Sequence, residues 1–165
     1  GALGWAGGVS ATGEAFQFWK QLALAGLIEG NYTGLSGAAA AIETVIGTNG
    51  PKSKLSQGGW GIQNIPGVYG DTQTYTATYG NALVFGASDA GSLPRGRVLK
   101  PEEAWNIDTK IDDGKPGTGG VLGWEIASFG SGTSCTTSTS TTDYTGTYAL
   151  SRTVAACSFY FPRAF

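Results

Sequence analysis

Three acids stand close enough along the chain to share a ligand: Asp108, Asp112 and Asp113, within Asp108-Thr-Lys-Ile-Asp-Asp-Gly114. Calcium takes carboxylate and carbonyl oxygens, and an Asp-Asp-Gly turn offers both. The spacing is not that of an EF-hand loop. Acids at a helix C-terminus face the unfavourable end of the helix dipole, which a cation would relieve. Lys110 and Lys115 relieve it equally well. These aspartates are therefore expected to form a hydrogen-bonded helix-to-strand turn, with calcium as the alternative and no cofactor foreseen.

Catalytic chemistry has little to work with. The chain contains no histidine, which removes Ser-His-Asp and Cys-His nucleophile pairs and the usual zinc sites. Glu102, Asp112, Asp113 and Glu125 are the carboxylates open to glycosidase-type pairing, a matter of separation in space. Gly117-Thr-Gly-Gly120 lacks the lysine and following helix of a phosphate loop, and no Gly-x-Ser-x-Gly elbow occurs. The expectation is a protein that is not an enzyme.

Cys135 and Cys157 are the two cysteines. Free thiols are one reading. The surroundings, rich in Thr, Ser and Gly and poor in charge, look extracytoplasmic, where such a pair is oxidised. Five tryptophans and seven tyrosines could stack on sugars, although aromatic rings in a domain of this size mostly fill the core. Trp19 and Trp105 fall on expected helices, Trp60 and Trp124 on expected strands, and Trp5 in the opening loop. Asn31-Tyr32-Thr33 matches a glycosylation sequon, a pattern common by chance.

The elements that must position these groups follow from composition and periodicity. At 165 residues the chain suits one domain, taken as 1–165, and 41% hydrophobic residues argue against disorder. Charged residues make up 13% beside 28 glycines, which suggests many loops and strands. A net charge of −2 without a basic stripe speaks against a nucleic-acid partner. The longest apolar stretch, Leu22 to Ile28, falls short of a membrane span. Gly1 to Ser10 has no signal-peptide pattern, and Gly1-Ala2 reads as a cloning remnant behind which an export or anchoring segment was removed.

Gly1 to Gly13 is expected to be loop, anchored by Leu3, Trp5 and Val9. Helical spacing of Ala15, Phe18, Trp19, Leu22 and Ala25 predicts a well-buried helix over Glu14–Ala25. Its N-cap would be Thr12, and it would end at Gly26 with Leu27 folding back onto Leu22. Leu24, Leu27 and Ile28 would widen the buried face. Residues 30–58 are irregular apart from a short element over Ala38–Ile46. Strands are predicted at Gly59–Ile65 and at Tyr75–Ala87, with a bulge or break at Gly80-Asn81. Pro101-Glu102-Glu103 opens a second helix with Ala104, Ile107 and Ile111 buried and Gly114 as its stop. Val121–Phe129 and Ala155–Phe161 close the sheet, with Tyr148–Val154 as a further strand. The fold class is α+β, helices packed on a small antiparallel sheet.

Four segments in order carry a resemblance: EAFQFWKQLALAGLIEGNYT (Glu14 to Thr33), YGNALVFGA (Tyr79 to Ala87), PEEAWNIDTKIDDGKPGTGGV (Pro101 to Val121) and Cys157-Ser-Phe-Tyr-Phe. Together they resemble bacterial type IV pilin-like proteins, the pseudopilins and minor pilins that carry a prepilin-type cleavage and methylation segment. The resemblance implies a pilin-like head with a disulfide between Cys135 and Cys157, closing a loop of about 20 residues worth roughly 3 kcal/mol. It implies a precursor anchored in the inner membrane by an N-terminal helix, then a filament subunit of a pilus or of type II secretion whose partners are other pilin subunits. Without that helix the fragment is expected to be monomeric. The alternative is a freely secreted extracellular binding module, with glycans as the ligand class considered. The family's glycine-phenylalanine cleavage site and long apolar helix are absent from the sequence.

Overall fold

Helix α1 spans Glu14–Leu24, and its start and stop are both written locally. The N-cap is Gly13, in extended conformation and without a side-chain cap; its carbonyl accepts from the N–H groups of Phe16 and Gln17. The cap thus falls on Gly13 rather than Thr12, which lies outside the described residues. At the other end Gly26 adopts φ +70°. Gly26 N–H bonds the Ala23 carbonyl at 3.0 Å and Leu27 N–H the Leu22 carbonyl at 2.9 Å, the paired bonds of a Schellman turn.

A computed structural model describes residues 13–55, 57–126 and 134–165. The expected anchors Leu3, Trp5 and Val9 lie outside them. The other described elements are strand β1 (Gly59–Tyr69), strand β2 (Ala77–Gly86), helix α2 (Pro101–Ile111), strand β3 (Leu122–Gly123) and strand β4 (Phe159–Phe161). The strands form one antiparallel sheet in the order β1-β2-β4-β3, with Leu122 opposite Tyr160 and Gly123 opposite Phe159. The protein is a small α+β domain. No described helix is long and apolar enough to cross a membrane.

The chain forms two compact units. The first runs up to Asn64 and includes Leu83–Gly96; the second comprises Ile65–Ala82 and Arg97–Phe165. In the first unit Ala15, Trp19, Tyr32 and Ile62 form a buried cluster, with Phe18, Leu22, Ala23, Ile28, Trp60 and Leu83 packed against it. The helix is less buried than its composition suggests. Leu24 and Leu27 are 77% and 71% exposed: Leu24 falls five residues after Trp19, roughly 140° round the helix from the buried face, Leu27 lies beyond the reversal at Gly26, and Ala25 is exposed too. Residues 38–46 form turns rather than a short element. They are pinned by Asn49, whose carboxamide accepts from Val45 N–H and donates to the carbonyls of Leu35 and Glu43.

In the second unit α2 begins as its sequence dictates, with proline first and the Glu103 carboxylate accepting from Lys100 N–H at 2.8 Å. Its buried face is Pro101, Ala104 and Asp108; Ile111, expected inside, is 60% exposed. Strand β2 runs continuously through Gly80-Asn81, with Gly80 taking φ +58°. The expected Val121–Phe129 strand shrinks to Leu122–Gly123 among the described residues, because Glu125 adopts φ +67° and turns the chain out of the ladder. Residues 127–133 lie outside the described part. The stretch 148–154 forms turns after a single bridge between Thr136 and Tyr148. Around β4, Tyr160 stacks on Trp124 at 5.0 Å and meets the edge of Tyr79 at 5.3 Å.

Candidate functional site: the acidic turn and the cysteine loop

The turn after α2 brings Asp108, Asp112 and Asp113 together, one carboxylate oxygen of each lying within 4.8 Å of the others. Donors of the chain itself already occupy five of the six oxygens. Asp112 Oδ2 accepts from the N–H groups of Gly120 and Val121 at 2.6 and 3.0 Å. Asp113 accepts from Lys115 N–H and from the Thr118 hydroxyl. Asp108 accepts from Gly114 N–H at 3.2 Å and from the Tyr148 hydroxyl at 2.7 Å. These donors fold the loop from Gly114 to Val121 back onto the helix end. Gly119 is obligatory there: it sits at φ +80°, and a Cβ would lie 2.0 Å from the Asp112 carboxylate. The geometry is that of a hydrogen-bonded helix-to-strand turn.

Asp108 differs from its neighbours in being wholly buried. Burial pushes its carboxyl up to about 6; Asp113 and Asp112 push the same way, while the Tyr148 hydroxyl and Gly114 N–H oppose them. The Tyr148 phenol is raised as well, by burial first and then by the Asp108 charge. Helical spacing places Asp108 four residues after Ala104, on the buried face, and that was the available signal. Its partner lies 40 residues away, beyond any local pattern.

Two further carboxylates were open to pairing. Glu102 is in the first turn of α2, so ten residues of helical rise separate it from Asp112 by about 15 Å. Glycosidase pairs stand roughly 5 to 9.5 Å apart. Glu125 is held by Arg97 Nε at 2.5 Å, and its carbonyl accepts from Cys135 N–H.

Cys135 and Cys157 form a disulfide spanning 22 positions, with Cα atoms 4.7 Å apart, and both residues are fully buried. Cys157 exchanges backbone bonds with Leu99, ahead of α2, and the Cys135 carbonyl accepts from Ala149 N–H. Between the cysteines, hydroxyls replace regular structure. The Tyr75 hydroxyl is buried against Thr136 and Ser138, and the Asp143 carboxylate gathers the Thr139 and Thr145 N–H groups. Buried structural disulfides persist in oxidising compartments, so the bond points to an extracytoplasmic protein.

Compared with known proteins, the chain matches no family model, no curated protein and no solved structure.

Of the tryptophans, Trp19 and Trp124 are buried and Trp105 is 40% exposed on α2. Trp60 is half-buried and packs on Phe85 at 5.0 Å. Trp124 lies in the bend after β3 rather than on a strand, and Trp5 lies outside the described residues.

Proposed function

We propose that this chain is the extracytoplasmic head of a pilin-like filament subunit, a structural and interacting protein rather than an enzyme. One observation carries the reading. The segment Pro101 to Val121, which bears the most specific part of the resemblance, is a single built device: a proline-started helix, an acidic turn stitched by six hydrogen-bond donors, and a chain delivered into β3. Such a turn positions a loop. The disulfide supports the same reading, since a head facing solvent outside the cytoplasm benefits from a covalent closure where apolar burial is thin. On this view the head attaches to other pilin subunits through an N-terminal apolar helix, which also holds the precursor in the inner membrane.

Immunogold electron microscopy with antibody raised against this domain tests the proposal in the producing cells. Labelled surface filaments or envelope assemblies are expected. A soluble protein recovered only from the medium, encoded behind a conventional signal peptide, would replace the filament reading with that of a secreted binding module.

A further inference from the structure

The first unit contains a cleft of about 450 Å³ lined by Trp19, Tyr32, Trp60, Leu83, Glu29 and Lys52, with Ile28 and Pro51. Each wall is fixed independently. Trp19 projects from α1 with 7% exposure, and the Schellman turn delivers the chain into Ile28–Tyr32. The Tyr32 hydroxyl donates to the Glu29 carbonyl at 2.8 Å. Tyr32 packs over Gly30, where a Cβ would meet the tyrosine oxygen at 2.6 Å. Trp60 N–H bonds the Pro51 carbonyl at 2.9 Å, and Lys52 bridges to Gly59. The cleft is therefore preformed, as small-ligand sites usually are.

Its chemistry is mixed in a particular way. The Trp19 indole N–H has no hydrogen-bond partner among the described residues. Of the fully buried side-chain polar atoms among them, Ser92 Oγ is the one without a partner, so the Trp19 donor retains access to solvent. Glu29 and Lys52 are exposed at the rim and belong to no ion pair among the described residues. One negative and one positive charge leave the rim neutral, which favours an uncharged ligand over an anion or a cation. Aromatic faces, an indole donor, an ammonium donor and a carboxylate acceptor suit a molecule that has C–H faces and hydroxyls able both to donate and to accept. We propose that this cleft binds a neutral sugar, ring stacked on Trp60 and hydroxyls held by Trp19 Nε1, Glu29 and Lys52. The inference stands on the cleft alone and holds for a filament head or a free module.

The test is a titration of the ¹⁵N-labelled protein with N-acetylglucosamine, galactose and mannose, and separately with tetramethylammonium chloride. Saturable shifts of the Trp19 and Trp60 indole N–H resonances with at least one neutral sugar are expected. Glu29→Gln, an exposed change that spares the fold, should weaken binding about ten-fold by removing a charged acceptor. Trp60→Ala should abolish it, with the amide spectrum of the rest of the chain confirming that the variant folds. Shifts caused by tetramethylammonium and by no sugar would overturn the proposal in favour of a cation cage. So would the absence of any saturable shift, or sugar binding indifferent to Glu29→Gln.

Discussion

The two units hold themselves together by different means. The first relies on a contiguous apolar cluster around Trp19, Tyr32 and Ile62, with Asn49 stitching the loops. The second adds a disulfide, a wholly buried aspartate and a group of buried hydroxyls to an apolar core that includes Tyr79, Leu99, Leu122, Trp124, Ile126 and Phe159. Apolar packing is non-directional and survives small changes of partner. A buried polar lattice stabilises when complete and becomes costly when one member is lost. The second unit should therefore be the more brittle.

The largest effect should come from the disulfide. Replacing both cysteines with alanine should cost about 3 kcal/mol in denaturant unfolding. The loss of hydrogen-exchange protection should concentrate between Leu99 and Tyr160, leaving Ala15 to Leu22 less affected. Uniform loss of protection would erase the contrast between the units. In the unmodified protein, thiol titration after denaturation without reductant should find no free cysteine.

Asp108 gives the second unit a pH dependence. Its folded value of about 6 stands above the ordinary 3.8, so between these values the folded state binds more protons than the unfolded one. Stability from this group is therefore fully present below about pH 4 and is lost as pH rises through about 6, by up to about 3 kcal/mol. Unfolding free energy measured across this window in the native protein and in Asp108→Asn should show the slope only in the former. An identical slope in both would remove Asp108 as its source.

In the first unit, Asn49→Ala should cost about 2 kcal/mol, since it strands one N–H and two carbonyls in a nearly inaccessible site. Stability curves should shift without any change in their pH dependence. The smallest effect should be that of calcium. With five of the six carboxylate oxygens of the acidic turn accepting from chain donors, melting temperatures in excess calcium and in chelator should agree within about a degree or two. A rise lost in Asp112→Ala would show that the turn exchanges its donors for a cation.

What could be read in advance was whatever local chemistry decides. Gly26 after a periodic segment, Pro101-Glu102-Glu103 at a helix start and the α+β class all follow from neighbours in sequence. The fate of Ile111 and Asp108 does not. Both lie near the inner side of α2 by spacing, and hydropathy favours isoleucine. The aspartate is inside because Tyr148 supplies a hydroxyl there, a contact made by the far side of the cysteine loop. The strand expected after Val121 fails for a similar reason: its apolar composition is sound, but β4 offers only three residues to pair with and Glu125 turns away. Leu24 and Leu27 look like core and face water, the first because helical phase carries it away from Trp19 and the second because it follows the reversal at Gly26. Of the site, the three aspartates and two cysteines were visible as residue types, whereas Tyr75, Thr136, Ser138 and Tyr148 carry no distinguishing pattern.

Tyr148 lies between Cys135 and Cys157, and that position ties two kinds of chemistry to one segment. Closing the disulfide sets the tyrosine over Asp108; opening it would free the segment and let water reach the carboxyl, whose affinity for a proton would fall to its ordinary value. Closing the bond releases the two thiol protons, and near pH 5 Asp108 would take back part of one; measured against a thiol couple that releases both, mild acid should therefore favour the closed state. An oxidising cell envelope would favour the closed state. Its grip on the loop would loosen most in a neutral, reducing interior.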